Sequence, residues 1–330
     1  MWRTVACGAT VALLALAACG GDGSTDASSS SASPSAAPVE VTDIEEAGAK
    51  RLSIHGDWLA AGEGGIWLSG DADIYRLDPA TGRKLATIPV PQIPCEAGDV
   101  GFGSLWSATC GKPGLVRIDP GTNKVAGRLA LRIPTGMEGE GSVGAGEGGV
   151  WLVVDGPDCT SCRVARIDPE TMRVTAEVKV QHGSAAVRTG SGAVWVTNPL
   201  KDLVEKIDPV DEKVVDAIET GPGPRFFDVG EGGVWTLNQG DGTVTRIDPG
   251  TGKATTVDAD VPGDGGDLTA GGGWVWARGS GVLLVRVDPD EGAVVARYGL
   301  SSGSGAVIVG GGAVWLSAHD INAVWRLPLP

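Results

Sequence analysis

A chain of 330 residues with 26 Lys and Arg against 41 Asp and Glu carries a formal charge of −15. That sign makes phosphate backbones poor partners and excludes nucleic-acid binding as a function. Glycine is abundant at 53 residues, Val and Trp recur, and no run has a 3.6-residue apolar period, so the composition predicts an all-β chain.

In chain order, residues 1–18 hold one charge, Arg3, and an apolar run from Val5 to Ala18 too short for the ~20 residues that span a bilayer. This reads as an export signal. The run ends in Leu16-Ala17-Ala18-Cys19 followed by Gly20, which resembles the lipobox of bacterial lipoproteins. The resemblance implies lipidation of Cys19 and an exported chain anchored to the membrane on its extracytoplasmic side. An ordinary signal-peptidase site is the alternative. Residues 19–38 are rich in Ser, Ala and Gly and have no large apolar side chain. They cannot bury enough surface to fold and are predicted to form a flexible tether reaching roughly 25 Å.

Residues 39–330 have no second low-complexity break, and they repeat. Trp67, Trp106, Trp151, Trp195, Trp235, Trp276 and Trp315 recur about every 41 residues, the length of a four-stranded propeller blade. Glycine stands five and three residues before each, as in the phrases GEGGIW and GEGGVW. That strictness predicts a tight turn with positive φ, with the intervening Glu a solvated turn residue. A second phrase follows, as in RLDPATGRK from Arg76 and RIDPGTNK from Arg117. It reads as strand, turn, strand, in which Asp caps the turn amides and Pro presets φ. Four strands per repeat and seven repeats predict a seven-bladed β-propeller. The last repeat lacks an outermost strand, so residues 38–45 are predicted to pair with the edge near Trp325 and close the ring.

These phrases resemble the YVTN-type and streptogramin-lyase-like propellers, over residues 52 to 327. The resemblance implies the fold, while such propellers include lyases, lactonases and plain binding scaffolds. Function is expected at the mouth, where loops enter the innermost strands. His55 and His182 precede innermost strands of blades one and four, and His319 follows the Trp strand of blade seven, so His55 and His319 are the two that can share a ligand. Asp57, Glu96, Glu138, Glu140, Asp264 and Asp267 are predicted to converge on the funnel, with Arg225 as the basic exception and Phe226 and Phe227 as an apolar wall. Such a mouth favours a cationic or zwitterionic ligand. The His and Glu pair of the streptogramin lyases does not map here, since Asp320 follows His319.

Cys95 and Cys110 fall at one mouth-side edge, and Cys159 and Cys162 form a C-x-x-C within a loop. Both pairs are predicted as disulfides in an exported protein, with redox or zinc duty as the alternative for the second. The expectation is a monomeric binding module for a small molecule, a peptide or an envelope component, with no metal and no cofactor. A lyase or lactone hydrolase acting at the mouth and an envelope-assembly scaffold are the other two classes.

Overall fold

The computed structural model describes residues 39–92, 94, 98–132, 142–154, 162–261, 263, 265–300 and 303–330. Seven sheets, each an antiparallel blade of four strands, follow one another along the chain, with blade seven taking its outermost strand from the N-terminus and blade six gaining a fifth, parallel strand. Blade one shows the plan with Leu59–Gly62, Gly65–Ser69, Asp73–Leu77 and Lys84–Pro89. The predicted seven-bladed propeller is the observed fold. Every Trp anchor is fully buried, and in six blades the strand carrying it is buried from end to end, as in Gly149–Val154 and Ala313–Ala318, while in blade six it begins with half-buried Trp274.

The repeated words are explained by the seams between blades. In the turn before each anchor, positive φ falls four and three residues upstream, as at Glu147 (47°) and Gly148 (75°), or Glu231 (46°) and Gly232 (69°). This is the pair of left-handed positions that a two-residue hairpin turn needs. The glycine five residues upstream has a different reason. Gly101, Gly146 and Gly230 are not left-handed, and a β-carbon there would overlap Ala145, Thr189 and Ala270 of the next blade. Its carbonyl also accepts the indole N–H of its own Trp in all seven blades, at 3.0 to 3.3 Å. The expected positive φ holds at this glycine in blades one and four, at Gly62 (147°) and Gly190 (152°), and in the other blades close approach takes its place. The turn Glu is exposed in blade one, as Glu63, but half-buried in blades three and five, where it is more than a solvated residue. Glu147 accepts from the Gly192 amide and Glu231 from the Gly273 amide, each at 3.0 Å, in the turn of the following blade.

The second phrase works across the same seams. Its cation stacks on the Trp of its own blade seven times, from Arg76 on Trp67 to Arg326 on Trp315, at 5.2 to 5.8 Å. Such contacts contribute about 0.5–2 kcal/mol each. The same side chains reach the Asp-Pro turn of the next blade. Arg117 donates to the Pro169 carbonyl at 3.0 Å, Lys206 to Pro249 at 2.7 Å and Arg326 of blade seven to Pro79 of blade one at 3.1 Å. The turn aspartates cap their own amides, as Asp168 accepts from Glu170 and Thr171. Hydrogen bonds from Thr171 hold the Asp168 carboxyl below its ordinary range.

Ring closure uses the N-terminus, with a different segment from the one expected. Strand β1 (Val41–Thr42) pairs in parallel with Ala293–Tyr298, the outer strand of blade six. Strand β2 (Lys50–Leu52) is the one that completes blade seven, pairing antiparallel with Ala323–Pro328 so that Arg51 faces Trp325. The segment between them still reaches the expected edge, because Ile44 is buried beside Trp325 and the Trp325 indole donates to Glu45 at 3.2 Å.

Candidate functional site: a charged cavity on the propeller axis

The innermost strands put one residue per blade directly opposite the Trp anchor. In blade order these are Ala60, Asp99, Gly144, Arg188, Asp228, Thr269 and Ile308. Four of the seven are small or apolar side chains or a hydroxyl; the other three are charged. Asp267, two residues before Thr269, adds a third carboxylate. Asp99, Arg188, Asp228 and Asp267 line one cavity of about 130 Å³, bounded also by Ala60, Val307 and Ile308.

Each carboxylate is held at both ends of its own blade seam. Asp99 accepts from its neighbour Val100 and from Ala145 of blade three, both at 2.8 Å. Asp228 accepts from Val229 at 2.8 Å, Ala270 at 2.9 Å and the Thr269 hydroxyl at 3.0 Å. Asp267 accepts from Leu268 at 2.8 Å and from Val307 of blade seven at 3.0 Å. These bonds fix the side chains and leave the remaining lone pairs to face the cavity. Burial pushes the Asp267 carboxyl up to about 6, against the lowering effect of the Val307 amide and of Arg188. Burial also raises Asp99, with Arg188 opposing it. Arg188 donates to the Val187 carbonyl at 3.2 Å. Three carboxylates thus meet one guanidinium in a space too small for a drug-sized ligand, whose pockets run to ~300–1,000 Å³. Among the described residues no three His, Cys, Asp or Glu side chains gather so as to hold a metal ion.

A second cation lies just behind this wall. Arg278, opposite Asp267 in the strand pair, is completely buried. It donates to the Ser317 and Gly303 carbonyls. Desolvation lowers its pKa to about 10, opposed by Asp267, Asp320 and Asp57. In the other blades the same position holds Ser69, Ala108, Val153, Thr197, Leu237 and Ser317.

Of the predicted mouth residues, the structure brings Asp267 into the cavity. His55, Asp57 and His182 are exposed, and Asp57 contributes its backbone, donating to Ser69 at 2.9 Å and accepting from the Ser317 hydroxyl. His182 gives its carbonyl to Asn198 at 3.0 Å. Arg225 is half-buried with its guanidinium 6.0 Å from the Phe226 ring. Phe227, expected beside it as an apolar wall, is instead buried among Trp195, Val204 and Val234 between blades four and five. Strand alternation sends adjacent side chains to opposite faces, so both phenylalanines cannot line one wall. His319 belongs to a 3₁₀ turn, His319–Ile321. Glu96, Glu138, Glu140 and Asp264, with Cys19, Cys95 and Cys159, lie outside the described residues. Asp99, Arg188, Asp228 and Arg278 are the site residues that the sequence reading missed.

No protein-family model matches the chain, and no curated protein does. Solved structures do. The chain is similar to virginiamycin B lyase from Staphylococcus aureus, with a TM-score of 0.67 and 14% identity over 86% of this chain and 99% of that one. It is similar to BamB from Moraxella catarrhalis, with a TM-score of 0.58 and 13% identity over 83% and 85%. It is also similar to the WD40 repeats of RRP9, with a TM-score of 0.69 and 11% identity over 89% and 100%. At these identities the shared property is the propeller.

Proposed function

We propose that the chain is a membrane-tethered, extracytoplasmic binding module whose axial cavity receives an amine or guanidine group presented by a small molecule or peptide. The observation that carries this reading is the convergence of Asp99, Asp228 and Asp267 with Arg188 on about 130 Å³ of space. Three fixed acceptors suit an ammonium or guanidinium tip, and Arg188 suits a carboxylate on the same ligand. A lyase like the Staphylococcus aureus neighbour needs a placed general base. The three carboxylates of this lining are each held by backbone amides, which fixes them as acceptors for a bound cation. A scaffold role, suggested by the likeness to BamB, uses the outer surface instead.

The test is calorimetric titration of the full chain with L-lysine amide, L-arginine amide and uncharged norleucine amide. Binding of the two cations and not of the third is expected. Asp228→Asn removes one charge-assisted bond, worth about 1.5–3 kcal/mol, so affinity falls about 10-fold or more. Affinity also rises from pH 5 to pH 7, because Asp267, with its pKa of about 6, must ionise to attract a cation. Equal affinity for norleucine amide sinks the reading.

The leader and the cysteines complete the proposal. Lipidation at Cys19 anchors the exported chain, and Cys95–Cys110 and Cys159–Cys162 form two disulfides. The bridge between Pro94 and Thr109, with the Gly111 amide on the Gln92 carbonyl at 2.7 Å, carries the chain ahead of Cys95 alongside Cys110. Mass spectrometry of membrane-extracted protein is expected to find an N-terminal diacylated Cys19 and no alkylatable thiol. A different N-terminus, or four free thiols, overturns this part.

A further inference from the structure

On this acidic chain, one groove has the opposite sign. It lies at the seam where the ring closes, between β2 with the residues that follow it and the Asp-Pro turn of blade one, and measures about 490 Å³. Lys50, Arg51, Arg83 and Lys84 line it, and all four are exposed. Half-buried Leu52 and Ile54 make its floor, Leu52 lying over Gly82, where a β-carbon would meet its methyls at 2.9 Å.

Two observations distinguish this cluster from ordinary surface charge. Among the described residues none of the four cations forms an ion pair, whereas Arg163, Arg166, Lys213 and Arg297 elsewhere do. The neighbouring carboxylate, Asp78, makes its hydrogen bonds to the Ala80 and Thr81 amides and the Thr81 hydroxyl at 2.8 to 3.1 Å, and attracts Arg83 without a direct ion pair. The second observation is that this charge borders an open strand edge, since β2, like the outer strands of blades one to five, is paired on one side alone. Its other edge presents backbone groups ready to accept a further strand.

We propose that this seam docks an extended acidic peptide segment of a partner protein. The open edge of β2 takes its backbone, the cations that border the groove take carboxylates, and Leu52 with Ile54 takes an apolar side chain. A phosphate polymer matches the charge alone and has no use for the edge or the apolar floor, so the peptide is the better fit. The chain's overall charge of −15 repels anions elsewhere, which confines such a partner to the seam. This surface is separate from the axial cavity, and either can fail without the other.

The test is fluorescence polarisation of the full chain with a fluorescein-labelled peptide of alternating Glu and Val, six residues long. Binding is expected in about the 10–100 μM range at low salt, weakening as salt screens the charges. The Arg83→Glu, Lys84→Glu double variant is expected to lose at least 10-fold in affinity with an unchanged circular dichroism spectrum. Lys50→Ala, at an exposed position, is expected to lose about 3-fold and serves if the double variant misfolds. Absence of binding to the wild-type chain at 1 mM, wild-type affinity in both variants, or equal competition by polyphosphate of the same charge each overturns the proposal.

Discussion

Removing residues 39–52 from the full chain is expected to lower the melting temperature of the propeller by about 8 °C. The deleted segment contributes to two blades at once. Strand β1 ends the five-stranded sheet of blade six, and β2 is the fourth strand of blade seven. Between them Ile44 is 3% exposed and packs in the cluster holding Trp276, Leu316 and Trp325. Burying such a side chain contributes about 1.5–3 kcal/mol. The strand pairing, the Arg51 stack on Trp325 at 5.6 Å and the Trp325 bond to Glu45 add to it. A total near 5 kcal/mol corresponds to about 8 °C in a domain of this size, at about 2.1 cal/mol/K of unfolding entropy per residue. Loss of β2 also uncovers the edge of Ala323–Pro328, so the deleted chain is expected to self-associate. Deleting residues 39–43 alone removes β1 and keeps β2, and should cost much less. Thermal unfolding followed by circular dichroism measures both, and an unchanged melting temperature in the longer deletion would falsify closure by β2.

How far the sequence reaches can be argued from particular positions. Trp67 and its six counterparts are legible because each blade solves the same packing problem with the same residue, so periodicity alone exposes them. The Asp-Pro turns are legible because their bonds are local, within three residues. Asp99 was missed for the opposite reason: its partner amide, Ala145, lies 46 residues on, across a blade seam. Loops and histidines in the sequence point to the mouth, whereas the charged residues that meet on the axis sit inside strands. A signal for them exists nonetheless. Aligning the repeats on Trp shows Asp99, Arg188 and Asp228 at a position where other blades have Ala60, Gly144 or Ile308, and Arg278 where others have Ala108 or Val153. A charge replacing a small or apolar residue in a repeat marks a place where packing does not set the choice of residue. The exchange of β1 and β2 was not legible. Both segments are short, and which blade each joins depends on the turn at Asp43, where its carboxylate accepts from the Glu45 and Glu46 amides at 2.8 and 3.1 Å.

Replacing Gly101 by Ala is expected to cost about 3 kcal/mol, while the same change at Gly103, two residues on, costs about 1 kcal/mol. The two glycines belong to one turn and are needed for different reasons. Gly103 is left-handed, with φ of 68°, and nothing lies within 4 Å of where its β-carbon would stand. Its replacement therefore meets backbone strain alone, which is worth about 1–2 kcal/mol for a single residue. Gly101 has no such φ, but its β-carbon would strike the backbone and β-carbon of Ala145, the latter at 2.9 Å. Backbone of the next blade cannot swing aside as a flexible side chain can, so the overlap must be relieved by shifting one blade against another. Overpacking of this kind typically costs 1–3 kcal/mol. The shift also strains the Trp106 indole bond to the Gly101 carbonyl at 3.0 Å and the Asp99 bond to Ala145, which brings the cost to the upper end. Because Asp99 is displaced with that seam, Gly101→Ala should also weaken any cation bound in the axial cavity, and Gly103→Ala should not. Chemical denaturation of both variants decides the matter. A larger loss at Gly103 than at Gly101 would mean that the turn, and not the fit between blades, is what the repeated glycines maintain.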